Sequence, residues 1–389
     1  MDRALGHRII DFLDDQRQDM LDLLEALVMA ESPSSRPDTQ WQVHRLLGNA
    51  LKQEGLSATA LEVDGKPHLY ARPEQRTRGT PRQLLLGHYD TVWPVGTLKD
   101  MPFRVEGNTV RGPGTFDMKA GLVQIVLALR SLRALGLEPE LTPLVFVNAD
   151  EEIGSRSSTR YISWLARVCQ RAFVMEPALG PDGSLKTARK GIGRFTVTVH
   201  GKAAHAGLDP DGGASAILEL SHVIQQLFSL NDSERGVSVN VGTVDGGIQP
   251  NVVAPHSRAV VDVRVLTNED GDRVTRAIHA LRATTPGIEL EIEGAIGRPA
   301  METTPRNQLL MQRARDLAGL LEIDLDEATA GGGSDGNTTS QYTATLDGLG
   351  AVGDGAHAHH EFLYIDKTLE RTALLALLIL SPSLEPEEH

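Results

Sequence analysis

His88 directly follows a short apolar run at residues 84–87, and Asp90 lies two residues after His88. The run has the length of a buried strand, and open α/β sheets place their functional sites at the carboxyl ends of such strands. Side chains two residues apart on an extended chain face the same side. Asp90 is therefore predicted to accept a hydrogen bond from the imidazole of His88 and to orient that ring toward a metal ion. The pair alone is a weak signal, because the same spacing arises by chance in many sequences.

Four later segments present further residue types that bind metals. They contribute Asp117 at the predicted start of a helix, Glu151 and Glu152 in a run of three carboxylates, Glu176 after an apolar run, and His357. Adjacent like charges repel each other unless a cation lies between them. Each residue also has an ordinary alternative, such as a helix cap or a solvated acidic turn. Together they form a His, Asp and Glu set without cysteine, which suits zinc, with cobalt or manganese as substitutes.

Composition narrows the class of protein. The 389 residues carry a formal net charge of −14, which argues against nucleic acid or a membrane surface as a partner. The single cysteine, Cys169, excludes a disulfide within the chain and is typical of a reducing cytoplasm. The N-terminus lacks the apolar core of a signal peptide, and the apolar run at 372–380 is too short to span a membrane. We expect a core helix there and a frayed tail at 385–389.

The hydrophobic pattern predicts two kinds of structure. Up to residue 189 strands alternate with helices, which indicates an α/β domain with a doubly wound, mostly parallel sheet. Residues 190–297 follow the order β-α-β-β-α-β of a ferredoxin-like α+β domain. The predicted organisation is a catalytic domain at 1–189 and 298–389, interrupted by an inserted domain at 190–297. The nearest feature to a linker is a polar loop at 73–81. In the first part we predict helices at 8–30, 40–54, 118–135 and 155–168, and strands at 67–72, 83–88, 141–148 and 171–176.

These segments, in this order, resemble the di-zinc metallopeptidase family that includes glutamate carboxypeptidase, aminoacylase, peptidase T and succinyl-diaminopimelate desuccinylase. The resemblance covers nearly the whole chain, and its five ordered motifs are highly specific. It implies that His88 and Glu176 bind one zinc ion and that Glu152 and His357 bind the other. Asp117 would bridge the two ions.

The same resemblance implies that Glu151 is the general base, acting on water held between the metal ions, and that Asp90 is the partner of His88. Zinc lowers the pKa of bound water toward ~7, and a neighbouring carboxylate can pass the proton on to the leaving amine. Two histidines follow His357, but the family spacing from histidine to Glu361 favours His357. Many family members have a second acidic residue where this chain has Met118.

The inserted domain contributes candidate substrate contacts. His205 resembles the family histidine that polarises the scissile carbonyl, often in the active site of the partner subunit. Asn251 resembles a family asparagine that hydrogen-bonds the substrate carbonyl or carboxylate. From residue chemistry alone, these two are a loop histidine and a turn residue. Gly333 and Ser334 lie in a glycine run that lines the substrate site in the family. This run is expected to open a helix, whose free N–H groups would suit an anion.

Three basic residues are candidate carboxylate contacts. Arg264 is interpreted either as a structural ion pair with Asp262 or as a substrate contact, with equal weight. Arg298, where the chain re-enters the catalytic domain, is a second candidate clamp, since arginine suits bidentate recognition of a carboxylate. Lys190 would add positive charge for an acidic substrate, or is simply a solvated surface lysine.

The sequence thus predicts a zinc-dependent amide hydrolase that releases a C-terminal amino acid, glutamate-like by preference, from a peptide or N-acyl conjugate. The close alternative is an aminoacylase, another N-acyl-amino-acid hydrolase or a dipeptidase with the same zinc chemistry. An alternative of another class is a non-catalytic metal- or peptide-binding relative. Retention of Glu151 argues against that alternative, because a binder needs ligands but no base. The family further predicts a homodimer joined through the inserted domain.

Overall fold

The computed structural model describes residues 1–75 and 79–384. The predicted loop at 73–81 therefore lies partly outside the described residues, and the predicted tail at 385–389 lies wholly outside them. Contacts group the chain into two compact units. The first is Met1–Thr187, Thr303–Ala330 and Ser334–His389, and the second is Ala188–Glu302 with Gly331–Gly333. The division at residues 190 and 297 remains our prediction.

The helices and strands of both units are numbered in chain order. The helices are α1 Arg3–Asp15, α2 Arg17–Met29, α3 Gln40–Gln53, α4 Ala120–Ala134, α5 Thr159–Val168, α6 Ala216–Phe228, α7 Asn268–His279, α8 Pro305–Leu320, α9 Gly336–Thr339 and α10 Ile365–Leu380. The strands are β1 Leu56–Val63, β2 Lys66–Pro73, β3 Arg82–His88, β4 Arg104–Glu106, β5 Thr109–Arg111, β6 Thr142–Asn148, β7 Arg171–Val174, β8 Leu185–Arg189, β9 Gly191–His200, β10 Ser238–Gly246, β11 His256–Val265, β12 Glu289–Arg298, β13 Glu327–Ala330, β14 Ala344–Asp347, β15 Gly353–Asp354 and β16 Phe362–Tyr364.

A large sheet forms the centre of the first unit and confirms the predicted α/β class. Its strand order within the described residues is β1-β2-β6-β3-β7-β14-β8-β13. The central strands β6, β3, β7 and β14 run parallel, whereas β1 and β2 are antiparallel. Because β3 pairs in parallel with both β6 and β7, the carboxyl ends of these three strands meet at one edge of the sheet. The residues that follow these strands are thereby brought together.

A small antiparallel sheet, in the order β15-β16-β5-β4, was not predicted. Its strands have only two or three residues each, too few for the alternation that reveals a strand in sequence. Strand β16 pairs with both β5 and β15. This pairing places the segment after β5 beside the turn between β15 and β16, although they are far apart in sequence.

Two predicted elements of the first unit are wrong in detail. The expected helix at 8–30 is two helices, because Gln16 leaves the helical conformation with φ −92° and ψ 7°. Asp117 is not a helix cap, since it has an extended backbone and α4 begins only at Ala120. None of the described helices is both long enough and apolar enough to cross a membrane.

The second unit has the predicted order of elements, β9-α6-β10-β11-α7-β12. Its antiparallel sheet has the strand order β10-β11-β9-β12, which is that of a ferredoxin-like fold. Phe195, Val197 and Val199 alternate along β9 and pack in an apolar core with residues of α6 and α7. Arg194, Thr196 and Thr198 lie on the opposite face of β9 and are less buried.

Candidate metal centre

Six predicted residues meet at the carboxyl edge of the large sheet. His88 is the last residue of β3, and Glu151, Glu152 and Glu176 follow β6 and β7 closely. Asp117 and His357 reach the same place from the segments that the small sheet holds side by side. The topology thus explains why residues from five separate segments form one cluster.

Asp117 lies between the two histidines. Its Oδ1 is 3.4 Å from His88 Nε2, and its Oδ2 is 3.3 Å from His357 Nε2. His88 Nε2 is also 3.5 Å from Glu176 Oε1, and His357 Nε2 is 3.1 Å from Glu152 Oε2. The pairs that the resemblance assigned to each ion are therefore neighbours, with one oxygen of Asp117 directed to each histidine.

The donor set could hold a metal ion. Ligand atoms of His88, Glu151 and Glu176 lie within 4.8 Å of one another, and so do those of His88, Asp117 and Glu152. Among the described residues, Asp117 Oδ1 and Glu152 Oε1 are buried without a hydrogen-bond partner. A buried carboxylate oxygen without a partner is costly, and a cation at this position would satisfy both atoms. Glu151 belongs to one of these groups, so geometry alone allows it to be a ligand as well as a base.

The pKa values of the two histidines also indicate that the cluster requires positive charge. Burial by itself would lower the pKa of His88, but the carboxylates of Asp117, Asp90 and Glu176 outweigh it and raise that pKa well above its usual value. Hydrogen bonds to Asp117 and Glu152 raise the pKa of His357 to about 10. In the metal-free protein, protons on the two imidazoles thus supply the positive charge that the carboxylates require.

Asp90 contacts His88 through two groups. His88 Nδ1 donates to the backbone carbonyl oxygen of Asp90 at 2.9 Å, while the carboxylate oxygen Oδ1 lies farther away, at 3.4 Å. The carboxylate also accepts the backbone N–H groups of Glu151 and Glu152, both at 3.1 Å, and the hydroxyl of Ser34 at 2.6 Å. Asp90 therefore orients His88 through its backbone and holds the following acidic residues through its side chain.

A buried polar network supports the acidic turn, which we define as residues 150–158. Asp150 accepts the backbone N–H of Ser157 at 2.8 Å and its hydroxyl at 2.7 Å. Ser155, whose φ of 53° is unusual for a residue with a side chain, donates its hydroxyl to Asp335 at 2.5 Å. The turn that carries two site residues is thereby fixed to the segment after the glycine run.

Sequence reasoning assigned no role to two buried residues beside Asp117. Lys119 donates to the carbonyl oxygens of Leu27 and Ala30 at 2.8 and 3.1 Å, and burial lowers its pKa to about 7. Glu361 accepts hydrogen bonds from the Asp117 segment, and burial raises its pKa to about 7. The four-residue spacing from His357 to Glu361 was the available signal, but it served only to choose among histidines.

Met118 is fully buried. Its sulfur accepts the backbone N–H of His88 at 3.3 Å. The methionine that replaces the family's second acidic residue thus packs beneath the histidine.

In the second unit, the predicted residues His205 and Asn251 lie on adjacent loops. The backbones of His205 and Val252 form an isolated β-bridge, and the N–H of Ala206 donates to the carbonyl oxygen of Asn251 at 3.0 Å. His205 Nδ1 accepts the N–H groups of Gly207 and Leu208 at 3.1 and 3.2 Å. In its neutral form the ring therefore carries its proton on Nε2, where it can donate to a substrate oxygen.

The basic candidates of the second unit share one face of its sheet. Arg264 and Arg298 both pair with Ile192, on opposite sides of β9, and Lys190 directly precedes this strand. Of the two interpretations of Arg264, the ion pair is formed, with Nε 2.8 Å from Oδ1 of Asp262. Its role toward a substrate carboxylate remains a prediction.

The glycine run opens a helix, as expected, but the helix is short and the first N–H group already has an acceptor. Helix α9 has four residues, and the N–H of its first residue, Gly336, donates to the hydroxyl of Ser334 at 2.9 Å. The Ser334 hydroxyl in turn donates to Asp347. Gly333 belongs to the second unit and Ser334 to the first, so the run is the point at which the chain passes between them.

The sequence matches the family described as Peptidase family M20/M25/M40 over residues 84–381. It is 29% identical to carboxypeptidase G2 of Pseudomonas sp. (strain RS-16) over 310 residues, which is 78% of this chain and 74% of that protein. It is also 27% identical to a probable carboxypeptidase of Arthroderma gypseum over 355 residues, covering 83% and 74% of the two chains.

Solved structures share the fold at lower sequence identity. Aminopeptidase PepT of Bacillus cereus superimposes with a TM-score of 0.73 at 18% identity, covering 96% of this chain and 98% of that one. A tripeptidase of Staphylococcus aureus gives a TM-score of 0.75 at 20% identity, covering 94% and 97%. These likenesses show the fold, a mixed α/β protein with a large, mostly parallel central sheet.

Proposed function

The chain belongs to Peptidase family M20/M25/M40, and we propose that it uses two zinc ions to release a C-terminal amino acid from a peptide or N-acyl conjugate. Metal-dependent hydrolysis of peptide or amide bonds follows from the family itself. The observation that carries the finer proposal is the position of Asp117, with one oxygen directed toward His88 and the other toward His357. A carboxylate can bridge two ions, whereas an imidazole cannot.

In this proposal His88 and Glu176 hold one ion, Glu152 and His357 hold the other, and Asp117 is shared. The proton of His88 Nδ1 is held by the carbonyl of Asp90, which leaves Nε2 as the ligand atom. When bound, the ions supply Lewis acidity at the scissile carbonyl and lower the pKa of the attacking water. Zinc is favoured by the His and carboxylate donors, with cobalt or manganese as substitutes.

Glu151 is proposed as the residue that moves the proton. Its carboxylate would take a proton from the attacking water and deliver it to the nitrogen of the leaving amine, as a general base and then a general acid. The hydrogen bond from its N–H to Asp90 fixes the backbone on which this carboxylate is mounted. Asp90 thus acts on the reaction by positioning both Glu151 and His88.

His205 and Asn251 are proposed to bind the substrate carbonyl. The loop amides that occupy His205 Nδ1 leave Nε2–H as the donor, which is the form needed to stabilise negative charge on the carbonyl oxygen. Asn251 lies beside it and offers a second donor. The proposal allows His205 to act in its own subunit or in that of a partner.

The basic residues Arg264, Arg298 and Lys190 are proposed to bind the free carboxylates of the substrate, with Gly333 and Ser334 lining the site. Because the chain as a whole carries a charge of −14, an anionic substrate requires such a local basic region. A glutamate-like product is favoured by this group of cations. The similarity to carboxypeptidase G2 supports a C-terminal rather than an N-terminal cut.

A homodimer is proposed to form through the second unit. Strand β10 is an edge of its sheet and is exposed over its last residues. Apolar side chains exposed nearby on this unit are Ile217, Leu218, Val244 and Ile248. An uncovered edge strand with apolar neighbours is typical of an interface. Light scattering after gel filtration should return twice the mass of one chain for the wild type. The Val244→Lys variant should return the mass of a single chain.

A cytoplasmic location remains a prediction from the single, buried cysteine.

The test of the function is amino-acid release by zinc-loaded protein from a panel of N-acyl and peptidyl amino acids. Zinc-dependent release, abolished in Glu151→Gln without loss of bound zinc, would support the proposed roles, and the preferred product would identify the specificity. Release of free amino acid from the N-terminal side instead would refute the carboxypeptidase assignment. Zinc binding without turnover of any substrate would favour a binding protein.

A further inference from the structure

We propose that Glu361 is a positioning residue whose carboxylate holds together the two segments that carry Asp117 and His357. The inference rests on the proposed function in one respect, namely that these two residues bind metal. It adds that the geometry of the shared ligand is set by a carboxylate that itself binds no ion.

Four N–H groups converge on this one side chain. Oε1 accepts the backbone N–H groups of Phe116 at 2.8 Å and Asp117 at 3.0 Å, and Oε2 accepts those of Gly114 at 2.9 Å and the Trp93 indole at 3.0 Å. Glu361 is 1% exposed. A carboxylate has about four acceptor positions, so these bonds satisfy it without a place for a metal ion.

The donors belong to a segment with little regular structure of its own. Asp117 has φ −113° and ψ 97°, and α4 begins three residues later. No helix or strand ladder fixes the N–H groups of Phe116 and Asp117, since both donate to Glu361. The carboxylate therefore accepts the backbone N–H groups that a neighbouring strand would accept in a sheet. In this way it fixes the backbone of the loop and with it the direction of the Asp117 side chain.

The same carboxylate is tied to His357. A tight turn joins them, in which Ala358 N–H donates to Gly355 at 2.8 Å and Glu361 N–H donates to Ala358 at 2.9 Å. His357 itself has φ 61°, a left-handed conformation that the turn must hold. A shift of Glu361 would therefore alter both partners of the 3.3 Å contact between His357 Nε2 and Asp117 Oδ2.

The inference is tested by metal affinity in the absence of substrate, measured by competition with a chromophoric zinc chelator. Glu361→Gln replaces one acceptor oxygen by an NH₂ group that faces N–H donors, so the loop must move. We expect zinc affinity to fall about 10- to 100-fold, the usual effect of losing a group that orients a ligand. Activity of this variant should recover at high zinc, because its defect is in metal binding.

The matched control is Glu219→Gln in the second unit. Glu219 is also a buried carboxylate, and it accepts the backbone N–H groups of Thr284 and Thr285 at 2.7 and 2.9 Å. This control should lose thermal stability but keep wild-type zinc affinity. If Glu361→Gln behaves in the same way, Glu361 only stabilises the fold and the inference is wrong.

A milder variant covers the case in which Glu361→Gln does not fold. Trp93→Phe removes one of the four donors and keeps the ring, and we expect a loss of zinc affinity of a few fold, on the order of 1 kcal/mol for one hydrogen bond. Unchanged affinity in this variant would then refute the inference. Wild-type protein that binds zinc but hydrolyses nothing would refute the proposed function alone. Wild-type protein that binds no zinc would refute both.

Discussion

The metal centre of the first unit and the candidate substrate loops of the second unit are built differently. Residues of the metal centre are held by hydrogen bonds from distant parts of the chain, as Asp90 holds Glu151 and Glu361 holds Asp117. The side chain of His88 is 1% exposed, whereas that of His357 is 51% exposed. By contrast, His205 and Asn251 are exposed, and the ring of His205 is held by amides two and three residues away in its own loop.

The difference follows from what each region must do. Metal ligands and a general base must be held within a fraction of an ångström, which requires supporting partners that fix their positions. Residues that recognise a substrate can lie on loops, which tolerate changes in sequence without loss of the fold.

Removal of the metal is the largest expected effect and tests the metal centre as a whole. Dialysis against a chelator should abolish activity, and zinc should restore it. The second unit has its own apolar core, so the fold of this unit should persist after the metal is removed. Circular dichroism and activity measured on the same samples would show this. Full activity after verified removal of metal would contradict the proposed chemistry.

Glu151→Gln should lower kcat about 10²- to 10⁴-fold, the usual contribution of a general base, while zinc content stays at the wild-type value. Steady-state kinetics and elemental analysis provide the two readouts. Loss of zinc in this variant would instead identify Glu151 as a ligand, which the proximity of its carboxylate to His88 and Glu176 allows.

His205→Ala should lower kcat about 10²- to 10³-fold by removing a donor to the carbonyl oxygen, with zinc content unchanged. This variant sharpens the comparison, because it damages the reaction without touching the metal centre. Mixing it with Glu151→Gln protein is informative. Partial recovery of activity in mixed dimers would mean that His205 acts on the partner subunit, and no recovery would mean that it acts within its own.

Zinc binding should release protons and strengthen with pH. The pKa of His357 is raised to about 10 in the metal-free protein, so this ring is protonated at neutral pH and must lose its proton to become a ligand. Each proton released strengthens binding about tenfold per pH unit below that pKa. Calorimetry in buffers of different ionisation enthalpy measures the number released, and a value of zero would contradict the raised pKa. His205→Ala should release as many protons as the wild type.

The smallest expected effect concerns the ion pair of Arg264 and Asp262. If Arg264 binds a substrate carboxylate, Arg264→Ala should raise KM about tenfold, as for one lost charged hydrogen bond, while kcat changes little. Asp262→Asn removes the other half of the pair and should leave KM within about twofold, since such exposed pairs contribute about 0–1 kcal/mol. Equal effects of the two variants would show that the pair is only structural.

The sequence alone determined the fold class and the residues that meet in the His, Asp and Glu cluster. Apolar runs of strand length ended at His88 and before Glu151 and Glu176, and parallel strands bring such ends to one edge. The alternation along β9 likewise revealed the ferredoxin-like order of the second unit. These features are readable because burial imposes a short period on neighbouring residues.

Only the tertiary structure decided which groups hold the site residues in place. Glu361 and Asp117 are 244 positions apart, and Ser155 and Asp335 are 180 apart. The carboxylate of Asp90 lies 3.4 Å from His88 Nδ1 and also accepts the N–H groups of Glu151 and Glu152, which the sequence did not predict. A hydrogen bond between distant residues leaves no period in the sequence, because its partners are chosen by the packing of whole elements. Local motifs therefore predicted which residue types form the site, whereas its geometry depends on contacts between distant segments that no local motif contains.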